Sequence, residues 1–138
     1  MKPYQNPIIP GFFPDPSICR VGEDYYLVTS TFEVFPGIPV YHSRDLVNWT
    51  QTGNCIHRPS QLPMDKEDHN EGIWAPVIRH HNGRFYVTAK AKAFGNFIVS
   101  AEDPAGPWSD PVHVNINGID PDLLFDGDKC YITTNDRC

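Results

Sequence analysis

Apolar residues in this chain fall in short runs, and Gly, Pro, Asn or Asp bounds each run. Tyr25-Tyr26-Leu27-Val28-Thr29, Arg84-Phe85-Tyr86-Val87-Thr88-Ala89 and Asn96–Ser100 are rich in aromatic and β-branched residues, as strands are. No stretch holds the helical apolar period of about 3.6 beyond a turn or two, so long helices are not expected.

Three segments align without gaps. Asp15-Pro16-Ser17-Ile18 runs on to Tyr26, Ala75-Pro76-Val77-Ile78 to Tyr86, and Asp120-Pro121-Asp122-Leu123 to Tyr131. The step to the tyrosine is 11 each time (26−15, 86−75, 131−120). Gly22, Gly83 and Gly127 each precede the second apolar run, which predicts strand, tight turn, strand. The starts lie 60 and 45 residues apart (75−15, 120−75). Units of this size with several short strands predict the blades of a β-propeller.

The outer halves of the first two units match as well. Val40 to Trp49 and Phe97 to Trp108 both read as an apolar strand, Ser, an acid, a short turn and Trp. Trp49 and Trp108 are therefore expected to pack blade against blade. The reading gives an all-β fold with blade 1 at about 11–52, a connecting loop at 53–72, blade 2 at about 73–115 and the start of blade 3 at about 116–138. Residues 1–10 are expected to be an extended strand. A closed propeller needs about 180 residues or more. At 138 residues the chain is expected to be an N-terminal part of a longer protein.

The repeat gives the chemistry its place. Asp15 stands between two prolines, and Pro16 is expected to push its backbone to the extended region. Pro-Asp-Pro is also ordinary turn chemistry. In a propeller, however, equivalent positions face one axis. Asp15 and Asp120 would then converge on a channel with the small Ala75 between them. Two converging carboxylates are the equipment for acid/base work on a glycosidic bond; two solvated turn aspartates are the alternative. Phe32 and Phe35 lie in a loop beside this site, where a ring can stack on the C–H face of a sugar or simply anchor the loop. Trp74 directly precedes the channel position of blade 2 and is the tryptophan expected to touch substrate. His57, His69, Asp68 and Glu71 match no metal-ligand spacing and read as a solvated loop.

Composition narrows the partners. Net charge is −6, with 17 acids against 11 Lys plus Arg, which argues against nucleic acid or an anionic membrane. No apolar run is long enough to span a membrane. Cys19, Cys55, Cys130 and Cys138 form no CxxC, and Cys19 and Cys130 read as small core residues. No signal peptide is visible after Met1, so a cytoplasmic location is the expectation. No cofactor is expected, the question of a cation in the channel staying open. Oligomeric state is not legible, and a homo-oligomer is left open for the intact protein.

Several motifs in order carry a resemblance. Asn6-Pro7, Gly11-Phe12-Phe13-Pro14-Asp15-Pro16-Ser17 and Thr29-Ser30-Thr31-Phe32-Glu33 are followed by His42-Ser43-Arg44-Asp45-Leu46-Val47-Asn48-Trp49, Gly72-Ile73-Trp74-Ala75-Pro76 and Gly118-Ile119-Asp120. The chain resembles glycoside hydrolase family 43, in its β-xylosidase/α-L-arabinofuranosidase branch. The resemblance implies a five-bladed β-propeller of inverting glycosidases acting on xylo-oligosaccharides. It implies Asp15 as general base and Asp120 as the acid that orients the general acid and raises its pKa. It implies Phe32, Trp74 and Ala75 as the lining of the terminal-sugar subsite. The general acid, a Glu, would lie past residue 138, so the segment alone is expected to be inactive. An endo-arabinanase of the same fold and a non-catalytic sugar-binding propeller are the alternatives.

Overall fold

The computed structural model describes residues 4–136. Its strands are β1 Ser17–Val21, β2 Asp24–Val28, β3 Gly37–Ser43, β4 Thr50–Ile56, β5 Val77–His81, β6 Arg84–Ala91, β7 Gly95–Ala101, β8 Val112–His113, β9 Ile119–Asp126 and β10 Lys129–Asn135. One 3-10 turn, Met64–Lys66, is the single helical element among the described residues. β1–β4 and β5–β8 each form a four-stranded antiparallel sheet in sequence order, and β9 pairs with β10. These are two propeller blades and the inner hairpin of a third.

The hairpin repeat is realised in one register. Cys19 faces Tyr26, Arg79 faces Tyr86 and Leu124 faces Tyr131, each partner four places into its repeat (19−15, 79−75, 124−120). Two-residue turns close all three hairpins, with Val21 facing Asp24, His81 facing Arg84 and Asp126 facing Lys129. Between the two sheets lies the core. Val28, Val40 and Ile56 from the first meet Ile78, Val87, Val99 and Trp108 from the second, all buried.

Several elements differ from the sequence reading. β4 runs on to Ile56, past the boundary placed at 52. Gly53 and Asn54 look like breakers, yet a Cβ at Gly53 would stand 2.7 Å from Ala105 O, so this glycine marks a close backbone approach within a strand. β8 is only two residues long, because Pro107 and Pro111 have no N–H to give a ladder. Tyr4–Pro10 forms no strand among the described residues, and residues 1–3 lie outside them. Trp108 is buried between the sheets as expected, whereas Trp49 stays half-exposed. Its indole N–H donates to Leu46 O of its own turn at 3.1 Å. Cys130 is exposed on β10, Cys19 is half-buried and Cys55 is buried, and all three are unbridged thiols. Burial raises the Cys19 thiol to about 11. Cys138 lies outside the described residues.

Two of the contacts that join the blades involve the connection between them. The side chain of Gln61, 3 % exposed, makes four hydrogen bonds. Its amide donates to Cys55 O at 3.1 Å and Ser109 O at 2.9 Å, while its Oε1 accepts from the His57 and Arg58 N–H groups, both at 2.9 Å. Further on, Gly72-Ile73-Trp74 threads between the blades. Ile73 exchanges two 2.9 Å backbone bonds with Phe32, and Trp74 N–H donates to Lys90 O at 2.9 Å. Gly72 has φ +94°, and a Cβ there would run into the Phe32 carbonyl.

Both contacts are testable by unfolding. Gln61→Leu fills the space but strands buried partners, so urea unfolding should show a loss of about 3 kcal/mol. Gly72→Ala should cost more than about 2 kcal/mol, from the left-handed backbone and the overlap together. An unchanged midpoint for either variant would contradict this account of how the blades are joined.

Candidate active site

β1, β5 and β9 lie side by side, and side-chain bonds fix their relative register. Ser17 Oγ accepts from Ile78 N–H at 3.2 Å. Arg79 Nε donates to Leu123 O at 3.2 Å, and its Nη2 donates to Asp122 Oδ1 at 2.6 Å. Ser17, Val77 and Asp122 are equivalent positions of the repeat. Asp15, Ala75 and Asp120 therefore come to the same end of three neighbouring strands. The two carboxylates stand on alternate strands, with β5 between them.

Asp15 corrects an expectation. Its φ is +54°, in the left-handed region, although a residue before proline was expected to be extended. Asp120 has φ +53° and is also followed by proline. The two acids share an uncommon backbone state, and Ala75 is not among the positive-φ residues. Contacts from Ser30 hold Asp15 in place. Ser30 N–H donates to Pro14 O at 3.0 Å, and its hydroxyl donates to Asp15 Oδ2 at 2.5 Å. Ser30 itself is 2 % exposed, while both carboxylates are exposed. The sequence reading gave Ser30 no role. No local signal marks it, since it acts on a residue 15 positions away.

Phe32, Trp74 and Ala75 are all half-buried near this end. Phe32 also has positive φ, +51°, and its bridge to Ile73 places it beside Trp74. The Phe32 ring lies 5.9 Å from that of Phe12, which is 76 % exposed. Phe12 belongs to the stretch that carries Asp15, and it was not singled out from sequence. Phe35 is 39 % exposed in the same loop. Lys90 Nζ sits 5.8 Å from the centre of the Trp74 ring. Aromatic faces next to a pair of carboxylates can hold a sugar ring and present its anomeric carbon.

The connection after β4 leaves Asp68 and His69 exposed, as a solvated loop does, but hydrogen bonds also tie it down. Glu33 accepts from His69 Nδ1 at 2.7 Å and from Asn70 N–H at 3.2 Å. Hydrogen bonds from its own backbone N–H and from His69 hold Glu33 below the usual carboxylate range. Glu67 Oε1 accepts from Ala93 N–H at 2.8 Å, and Glu71 pairs with Lys92. His69 and Asn70 thus anchor this connection to the Phe32 loop, and Glu67 and Glu71 anchor it to the turn between β6 and β7. Among the described residues no group of three His, Cys, Asp or Glu side chains is placed to hold a metal ion.

Comparison with known proteins gives the chain a family. The family model for glycosyl hydrolases family 43 matches residues 4–137. A xylosidase/arabinosidase of Butyrivibrio fibrisolvens is 54% identical over 131 residues, covering 91% of this chain and 25% of the relative. A non-reducing end alpha-L-arabinofuranosidase of Bacteroides ovatus is 50% identical over 141 residues, covering 99% of this chain and 27% of the relative. Among solved structures, a Bacteroides ovatus xyloglucan-locus protein superposes with TM-score 0.90 at 51% identity, over 96% of this chain and 27% of that one. The xylan beta-1,4-xylosidase of Bacillus halodurans superposes with TM-score 0.87 at 46% identity, over 94% and 27%. The chain spans about a quarter of the length of these relatives. With three in-register hairpins and the family model running through all of them, the chain belongs to glycoside hydrolase family 43.

Proposed function

We propose that this chain supplies the base half of the active site of an exo-acting glycosidase. Its substrate would be a terminal xylosyl or arabinofuranosyl residue on a xylo-oligosaccharide. The observation that carries this reading is the placement of Asp15 and Asp120 at one end of alternate strands, flanking Ala75 and beside Trp74. Asp15 is the general base. Its carboxylate takes a proton from water as the oxygen attacks the anomeric carbon, and the Ser30 hydroxyl, donating to Oδ2, keeps the carboxylate aimed. Asp120 orients the acid that protonates the leaving oxygen and raises its pKa. That acid is assigned to the part of the relatives' length that this chain does not span. Attack and protonation on opposite sides of the bond, with room for a water, give inversion. Phe32, Trp74 and Ala75 line the sugar site. Nothing in this chemistry needs a cofactor. The names of the relatives, xylosidase and arabinofuranosidase, support the sugar class.

Full-length protein carrying this segment, assayed on aryl β-xyloside and aryl α-arabinofuranoside, tests the assignment. Asp15→Ala should lower kcat by about 10²–10⁴-fold while the protein still folds, with at most a modest drop in melting temperature from the left-handed backbone and the stranded Ser30 hydroxyl. Ser30→Ala should lower it by about tenfold, the size of one hydrogen bond to a charged group. Undiminished hydrolysis by Asp15→Ala would remove Asp15 as the base.

A further inference from the structure

We infer that Lys90, together with Asn96, is a positioning residue for Asp120. The inference rests on the proposed catalytic role of Asp120 and adds to it how that carboxylate is held.

The strand that carries Asp120 does not fix it. The ladder between β9 and β10 pairs Asp122 with Thr133 and then Ile119 with Asn135, so its register breaks at Asp120 and Pro121. Asp120 sits in that break with φ +53°. A left-handed, pre-proline residue at a ladder break keeps one conformation only when its surroundings impose it.

The imposing contacts come from blade 2. Lys90 on β6 and Asn96 on β7 face each other across the ladder. Lys90 Nζ donates to Gly118 O at 2.9 Å, and Asn96 Nδ2 donates to the same oxygen at 3.2 Å. Asn96 Nδ2 also donates to Ile116 O at 2.9 Å. Thr134 Oγ1 closes the other side, donating to Asn117 O at 2.7 Å. The chain is thus gripped at three successive carbonyls, 116, 117 and 118, the last of them two residues before the acid.

Two further features argue that Lys90 does more than close a turn. Asn96 is 1 % exposed, so its grip is rigid. Lys90 is half-buried, and among the described residues it has no carboxylate partner, whereas nearby Lys92 is paired with Glu71. An unpaired ammonium is costly to shield from water, and a neutral donor would satisfy a carbonyl equally well. Here the same Nζ faces the Trp74 ring and the Gly118 carbonyl. One cation therefore ties the wall of the sugar site to the segment bearing the second acid.

The test uses full-length protein with the variants Lys90→Met, Lys90→Arg, Asp120→Asn and the double variant Lys90→Met/Asp120→Asn. Met keeps the stem and its packing and removes the donor and the charge. Lys90→Met should lower kcat by about tenfold or more while KM moves less, because the Met side chain still packs against the Trp74 ring while the grip on the segment before the acid is lost. Lys90→Arg should recover most of the loss. In the Asp120→Asn background Lys90→Met should add almost nothing, since the clamp acts through that carboxylate. If Asp120→Asn is severe and Lys90→Met is silent, or if the two losses multiply, the clamp is refuted and the role of Asp120 stands. If Asp120→Asn is itself without effect, the catalytic reading of Asp120 falls and the clamp falls with it.

Discussion

Lateral registration of the inner strands is the constraint on which the site depends. These strands belong to three separate sheets, so a slide of one hairpin along the next would carry its channel position away from the common end. The bonds that prevent it are few. Ser17 Oγ holds Ile78 N–H, and Arg79 reaches across to Leu123 O and Asp122. Arg79 is in turn fixed by facing Tyr86 within its own hairpin. The repeat gives each hairpin the same internal register, and these cross-strand bonds give the three hairpins a common one. Only with both in place do Asp15, Ala75 and Asp120 share an end.

At that end the backbone is forced into an uncommon state. Asp15, Phe32 and Asp120 all have positive φ, which costs of order 1–3 kcal/mol each and persists only where neighbours over-determine it. The neighbours can be named in each case. Ser30 grips Asp15 through Pro14 O and Oδ2, Ile73 grips Phe32 through two backbone bonds, and blade 2 grips the segment before Asp120. At these three places residues distant in sequence sustain a backbone state that local preference disfavours. This is the arrangement expected of groups that must meet a substrate in one orientation.

The difference between local and distant causes also explains how far the sequence could be read. The hairpins were legible, since strand, turn and strand are written within a dozen residues and the tyrosine step repeats. Trp108 was legible as a packing residue because it ends an apolar unit. The conformation of Asp15 was not, because the proline rule describes a local preference that the Ser30 contacts override. Gly53 misled in the opposite sense: its role in β4 is to let Ala105 approach, which no neighbour in sequence announces. Ser30 and Lys90 were missed for the same reason. Each is an ordinary strand-end residue whose importance lies in a partner 15 or 28 residues away. Glu71 was read as solvated because its cationic partner, Lys92, belongs to another turn.

Family membership fits this division. The family model runs through all three hairpins, and the chain spans about a quarter of the length of the relatives it matches. The central claim is that the segment contributes a base which activates water opposite the leaving group. The anomeric configuration of the first-formed product tests that claim most directly. Full-length protein carrying this segment would be followed by proton NMR on whichever aryl glycoside it hydrolyses, before mutarotation sets in. The account predicts the inverted anomer, α-xylose from a β-xyloside or β-arabinofuranose from an α-arabinofuranoside. A retained anomer would contradict it, because Asp15 would then have to act as a nucleophile and not on water.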